Sequence, residues 1–183
     1  VYTKTFSMNA DDKDKNVYLE FEGVYQNAFV YVNNSFAGKC PYGYSNFYVD
    51  ITKYLNYNEP NALKVVVKNG VPSGRWYTGG GIYRDVNLMI AGRLHLVPDS
   101  VQLAAIEVED DQAIIRAKST IAYTGIGIRE ITLCTELMDA EGNVVAADEM
   151  SVTVEEHSEQ EYQQKMYVPN PNRWDAENPY LYT

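Results

Sequence analysis

The chain is poor in the residues that carry most metal and thiol chemistry. It has two cysteines, two histidines and two tryptophans in 183 residues. Cys40 and Cys134 are far apart, neither sits in a CxxC pair, and neither lies beside a histidine that would activate it, so inert thiols are expected rather than a disulfide or a nucleophile. His95 and His157 are isolated from each other and from any cysteine or carboxylate grouping with metal-ligand spacing, so both are expected to be structural, with no metal and no cofactor. Positive charge is also scarce. Fifteen Lys and Arg stand against 25 Asp and Glu, a formal net charge of -10. That field repels phosphate backbones and anionic lipid, which argues against nucleic-acid and membrane partners. No apolar run approaches the roughly 20 residues of a spanning helix. The opening VYTKTFSMN has neither a Met start nor a basic-then-apolar leader, so the true N-terminus is expected to lie upstream and targeting is unreadable. Also missing, over the first 97 residues, is any sustained 3.6-residue apolar period.

What is abundant is apolar and aromatic side chain. Hydrophobic residues make up 45% of the chain and aromatics 13%, with 16 tyrosines, enough for packed cores and against disorder. The length suits one large all-β domain or two domains of about 90 residues, and two is the starting expectation. Val17, Leu19 and Phe21 alternate with Tyr18, Glu20 and Glu22, the pattern of a half-buried strand. The run AFVYV at 28–32 ends at Asn33 and Asn34, which tolerate the positive φ of a tight turn and so predict a hairpin. Further strands are predicted at 47–51, 62–67 and 86–90, with the last strand of the first domain completing around 91–98. A boundary near residue 93 gives domains at 1–93 and 94–183. Beyond it, strands are predicted at 100–107, 112–122, 130–139, 144–153 and 160–168. That count suits a seven-stranded immunoglobulin-like sandwich with one or two short strands unrecognised. Residues 155–165 carry good helix formers and a Tyr162/Met166 pair at i,i+4, yet turn then strand is predicted because the surroundings are all β.

The most distinctive stretch is SGRWYTGGGIYRDV at 73–86, an aromatic pair followed by three glycines and a strand. Its spacing fits neither phosphate-binding glycine pattern, and no helix follows to supply a dipole. Arg75, Trp76, Tyr77, Gly79, Gly81, Ile82, Tyr83, Arg84 and Val86 meet every fixed position of the RWYxGxGIYRxV pattern found late in the sugar-binding domain of glycoside hydrolase family 2, which the chain therefore resembles. Residues 17–33 resemble the paired central strands of the same domain. Gly38, Gly43, Tyr44, Phe47, Asp50, Ile51 and Thr52 resemble its GxxxxGYxxFxxDIT segment, with Asn33–Asn34 where the family most often has Asn-Gly. Pro171, Trp174, Pro179, Leu181 and Tyr182 resemble the PxxWxxxxPxLY signature that closes the family's immunoglobulin-like domain.

The resemblance implies a jelly-roll, galactose-binding-like β-sandwich followed by an immunoglobulin-like β-sandwich, the front of a retaining glycoside hydrolase of the β-galactosidase type. The rest of the pattern is shared with β-glucuronidases and β-mannosidases, and the full RWYxGxGIYR form tilts the expectation to β-galactosidase. The implied partners are a catalytic barrel of the same polypeptide, absent from this chain, and a carbohydrate substrate, with a homo-oligomeric parent. No residue here inherits a catalytic role. Retaining hydrolysis needs two carboxyls about 5–5.5 Å apart; Glu20 and Glu22, at i,i+2 on a strand, stand about 6.5–7 Å apart and read as a solvated face. The acidic cluster Glu107, Glu109, Asp110 and Asp111 reads as a charged turn. Arg75, Trp76 and Tyr77 are the expected sugar contacts, through ring stacking and hydrogen bonds to hydroxyls. The competing expectation is that Trp76 and Tyr83 pack in the sandwich while Arg84 pairs with Asp50 or Asp85. A free-standing carbohydrate-binding or adhesion module, and a purely architectural domain pair, are the alternatives to an enzyme fragment.

Overall fold

The computed structural model describes residues 1–70 and 79–183, which divide into two compact units, Val1–Arg93 and Leu94–Thr183. Both are antiparallel β-sandwiches, as the sequence predicts.

The first unit holds β1 (Tyr2–Ser7), β2 (Asn16–Phe21), β3 (Val24–Tyr25), β4 (Ala28–Val32), β5 (Ser35–Cys40), β6 (Phe47–Asp50), β7 (Pro60–Val67), β8 (Gly81–Ile82) and β9 (Val86–Ala91). A four-stranded sheet in the order β1-β7-β4-β5 faces a three-stranded sheet β6-β2-β9, and β3 and β8 form a two-residue ribbon apart from both. The period of two in β2 does what alternation dictates: Val17, Leu19 and Phe21 are buried in the core with Val30, Val49 and Val65, while Tyr18 and Glu20 lie on the outer face. Phe21 stacks on Phe47 with centroids 4.8 Å apart.

The hairpin predicted at Asn33–Asn34 forms, with φ of 49° and 66° at the two residues, joining β4 to β5 through the left-handed pair that matches strand twist. Asn33 has a second role that turn chemistry does not announce. Its Nδ2 donates to Tyr54 O and to Asn61 Oδ1 at 2.8 and 2.7 Å, and its Oδ1 accepts from Ala62 N. Asn61, completely buried, also accepts from Asn56 N and donates to Asn56 O, both at 2.8 Å. A buried amide is tolerable only when its donors and acceptors are matched, and this one is.

The second unit holds β10 (Leu94–Leu96), β11 (Gln102–Val108), β12 (Gln112–Tyr123), β13 (Arg129–Met138), β14 (Val144–Val154) and β15 (Ser158–Pro169). The five strands predicted here are present within a few residues of their expected ends. One correction concerns 94–96. These residues do not complete the first sandwich; Leu94, His95 and Leu96 pair with Tyr123, Ala122 and Ile121 of β12, because the free edge of β12 beyond β11 offers a ladder. On its other edge β12 pairs with β15 from Gln112↔Pro169 to Tyr123↔Ser158, and β13 and β14 form a separate pair.

The helix-forming stretch becomes a turn and then a strand, His157 taking φ 52° before β15 begins. Long-range pairing overrides local propensity there. Gln164, Met166 and Val168 alternate inward at 3%, 1% and 2% exposure. Gln164 fastens the layers, donating to Leu133 O and Asp148 O and accepting from Thr135 Oγ1. The C-terminal stretch lies along this unit. Met138 and Thr183 exchange backbone hydrogen bonds, Tyr182 Oη accepts from Asn172 N, and the Tyr182 ring packs on the cluster around Leu137 and Met166.

Candidate functional site

Of the residues predicted to contact sugar, Arg75, Trp76 and Tyr77 lie outside the described residues. The chain that follows them, Gly79–Gly80–Gly81 into Ile82 and Tyr83, is described, and with Tyr2, Tyr25 and Tyr44 it encloses a groove of about 510 Å3. Four tyrosines and three glycines thus meet at one concave surface of the first unit.

Each ring is placed by an identifiable contact. Val24↔Ile82 and Tyr25↔Gly81 are the paired residues of the β3–β8 ribbon. Ile82 N donates to Tyr2 Oη at 3.3 Å, and Gly81, at φ +146°, has Tyr2 Oη only 2.5 Å from where a Cβ would stand, so glycine serves there both for its backbone and for its size. The Tyr83 ring lies across Gly23, its Cζ 2.5 Å from an ideal Cβ at that position. Tyr83 N donates to Gly23 O at 3.1 Å and Tyr83 Oη donates to Gly43 O at 2.8 Å. Gly43 in turn lies against the Tyr25 ring. Tyr25 meets Tyr44 with centroids 5.2 Å apart, and Tyr44 meets Tyr42 edge-on at 5.9 Å. These rings are well supplied with solvent-facing surface: Tyr2 is 44% exposed, Tyr83 50% and Tyr44 63%. Exposed aromatic faces gathered in a concavity with hydroxyls and backbone amides have the chemistry that recognises a pyranose, an apolar ring face bordered by hydroxyls.

The competing expectation is that Trp76 and Tyr83 pack in the sandwich with Arg84 paired to Asp50 or Asp85. Trp76 lies outside the described residues, and Tyr83 rests on Gly23 at the groove wall. The Arg84 guanidinium rests over the Tyr83 ring, 5.9 Å from its centroid. Asp50 accepts from Thr52 N with its Oδ1, and Asp85 contributes its carbonyl to Glu22 N. Sequence reasoning missed Tyr2, Tyr25 and Tyr44 as groove walls. The available signal was the excess of tyrosine together with single glycines at 23 and 43, which let rings from distant segments lie flat on backbone.

The carboxylates expected to be solvated are engaged within their sheet. Glu20 accepts from Tyr48 Oη at 2.8 Å and from Asn87 Nδ2 at 3.0 Å, and Glu22 accepts from the same amide at 3.2 Å. Asp110, in the acidic turn, pairs with Arg173 at 2.8 Å. His157 occupies a turn and His95 lies in β10. Among the described residues no group of three His, Cys, Asp or Glu is arranged to hold a metal ion. Cys40 and Cys134 are free. Desolvation, then the neighbouring Glu149 and Glu136 carboxylates, pushes the Cys134 thiol up, the reverse of activation.

Residues 1–77 match the family model described as the glycosyl hydrolase 2 galactose-binding domain-like domain, and residues 99–183 match that of glycosyl hydrolases family 2. The chain belongs to glycosyl hydrolase family 2. Within this family it is 39% identical over 183 residues to the β-galactosidase BoGH2A of Bacteroides ovatus, covering 100% of this chain and 22% of that protein. It is 30% identical over 202 residues to a β-glucuronidase of Formosa agariphila, covering 99% of this chain and 21% of that one. The crystal structure of a family 2 member from Bacteroides cellulosilyticus superposes with a TM-score of 0.90 at 33% identity, over 98% of this chain and 25% of the other. The chain therefore spans about a fifth to a quarter of the length of these three proteins. It corresponds to their N-terminal region, and the catalytic barrel is not part of it.

Proposed function

We propose that the chain is the non-catalytic front of a retaining β-galactosidase-type glycoside hydrolase, in which residues 1–93 form the sugar-binding sandwich and 94–183 the immunoglobulin-like sandwich leading toward the barrel. Both units scaffold that barrel, and the first also contributes to the sugar pocket. The observation that carries the pocket role is the tyrosine groove. It gathers exposed rings of Tyr2, Tyr44 and Tyr83 beside the Gly79–Gly81 backbone, in the same sequence stretch as the expected contacts Arg75, Trp76 and Tyr77. The galactoside assignment draws on the complete RWYxGxGIYR pattern and on the 39% identity to a β-galactosidase.

The test is turnover of nitrophenyl β-galactoside, β-glucuronide and β-mannoside by the 183-residue chain and by the protein extended through the barrel. Activity confined to the extended protein, greatest on the galactoside, is expected. In that protein Tyr44→Ala should raise KM about 2- to 10-fold with kcat little changed, the scale of one aromatic contact. Turnover by the short chain would overturn the assignment, and silence from both would return the chain to the binding-module class.

A further inference from the structure

Of the asparagines in the chain, Asn69 alone is followed by glycine. An asparagine side chain is short enough to meet its own backbone, and the reaction this permits is attack by the next residue's amide nitrogen on the side-chain carbonyl carbon. Glycine is the neighbour least able to obstruct that attack, because it carries no Cβ and its backbone takes conformations closed to other residues. Asn170 and Asn178 precede prolines, which have no N–H to attack with. The Asn33 amide is held by bonds to Tyr54 O, Asn61 Oδ1 and Ala62 N, and Asn61 is completely buried.

The fold leaves Asn69–Gly70 open to this chemistry. β7 ends at Val67, and Lys68 is still tied to Asn27, its N–H donating to Asn27 O and its carbonyl accepting from Asn27 Nδ2, both at 3.3 Å. Asn69 and Gly70 lie past the end of the strand and are exposed, and nothing stands within 4 Å of where a Cβ on Gly70 would be. What Asn69 does touch is Gly80. A Cβ there would lie 2.7 Å from Asn69 Cβ, 2.9 Å from its Nδ2 and 3.2 Å from its Cγ. Gly80 lines the tyrosine groove and leads through Gly81 into Ile82 and Tyr83, whose N–H groups donate to Tyr2 Oη and Gly23 O. The Asn69 side chain thus lies against the glycine run on which the groove is built.

We propose that Asn69 is a site of spontaneous deamidation, and that its conversion loosens the Gly80–Tyr83 wall of the groove. Gly70 N forms a bond to Asn69 Cγ, the Cγ–Nδ2 bond breaks, and ammonia leaves with the proton from Gly70 N, closing a succinimide. Water then adds to either ring carbonyl and breaks its bond to nitrogen, giving aspartate or isoaspartate. Aspartate puts a carboxylate against Gly80 where a neutral amide had lain, and isoaspartate lengthens the main chain there by one carbon. The test is incubation of the 183-residue chain at neutral and mildly alkaline pH, then peptide mapping by mass and by enzymatic methylation of isoaspartate. The peptide holding Asn69 should gain the mass difference between OH and NH2, faster in the alkaline sample. Gly70→Val should slow this about tenfold or more, and Asn69→Gln, whose side chain would have to close a larger ring, serves as the second control. Amide hydrogen exchange at Ile82 and Tyr83 should quicken about threefold or more in the aged chain and stay unchanged in the aged variants. An Asn69 peptide that does not convert, or conversion confined to other asparagines, overturns the proposal, as does conversion at Asn69 that leaves exchange at Ile82 and Tyr83 unchanged. Neither readout uses turnover, so the outcome is separate from that of the glycoside assay.

Discussion

Gly23→Ala is a one-carbon change whose cost is set by a single ring. Gly23 has an ordinary backbone, so alanine meets no conformational penalty, and the added Cβ would lie 2.5, 2.7 and 2.9 Å from Cζ, Cε2 and Oη of Tyr83. Backbone cannot yield on that scale, so the ring must swing outward. Leaving the site breaks the 2.8 Å bond to Gly43 O, a loss of about 1 kcal/mol. It also exposes the buried half of a side chain that is 50% exposed, roughly 100 Å2 at 25 cal/mol per Å2, or about 2.5 kcal/mol as an upper bound. Urea denaturation of the 183-residue chain should therefore show a loss of about 2–3 kcal/mol. The decisive comparison is the cycle with Tyr83→Ala. Once the ring is gone the extra methyl meets nothing, and Gly23→Ala should cost under about 0.5 kcal/mol in that background. A single variant as stable as the parent, or an equal cost in both backgrounds, would refute the reasoning.

Other sites give independent checks. Asn61→Leu leaves Asn56 N and O, and one donor of Asn33, without their partner and puts a larger side chain into a fully buried site; a loss of about 2–5 kcal/mol in urea midpoint analysis is expected, and a loss under about 1 kcal/mol would show that the buried amide network adds little. Asp139 is held below the ordinary carboxylate range by hydrogen bonds from the Asn143 side chain, then from its backbone N–H and those of its turn neighbours. A depressed carboxyl stabilises the fold above its unfolded value and loses that contribution as pH falls through its folded value. NMR titration should accordingly give Asp139 a lower midpoint than other exposed aspartates, with the 139–143 turn loosening only in acid. A midpoint at or above the ordinary value would contradict this.

What the sequence made legible was what local rules govern. Alternation at Val17, Leu19 and Phe21 fixes which face of β2 is buried, and Asn33–Asn34 announces its turn because few residues accept two successive left-handed conformations. The same local view mistook 94–96, since nothing in Leu-His-Leu says which sandwich supplies its partner; that depends on the length of β12. The groove was harder still. Its tyrosines come from positions 2, 25, 44 and 83, brought together by topology and by glycines whose role is to be thin. Asn61 and Gln164 look in sequence like ordinary surface amides, and only the fold shows that each ties together segments that are not sequence neighbours. Residues 155–165 show the opposite outcome, helix-forming residues of which 158–165 are drawn into a strand that makes twelve consecutive pairings with β12.

That long pairing also sets the order in which the chain can acquire its shape as it is made. The last described strand of the first unit is made once Ala91 has emerged, and β9 can then pair with β2. The second has no such early finish, because one edge of β12 waits for β15, whose last residue, Pro169, pairs with Gln112. During that interval β12 has only β10 and β11 on one edge, and its other edge stands unmatched while the strands of the first unit are already made. A ribosome paused between residues 124 and 157 would hold a folded first unit tethered to a strand still open to any neighbour with a free edge, which makes this the window in which a chaperone would matter most.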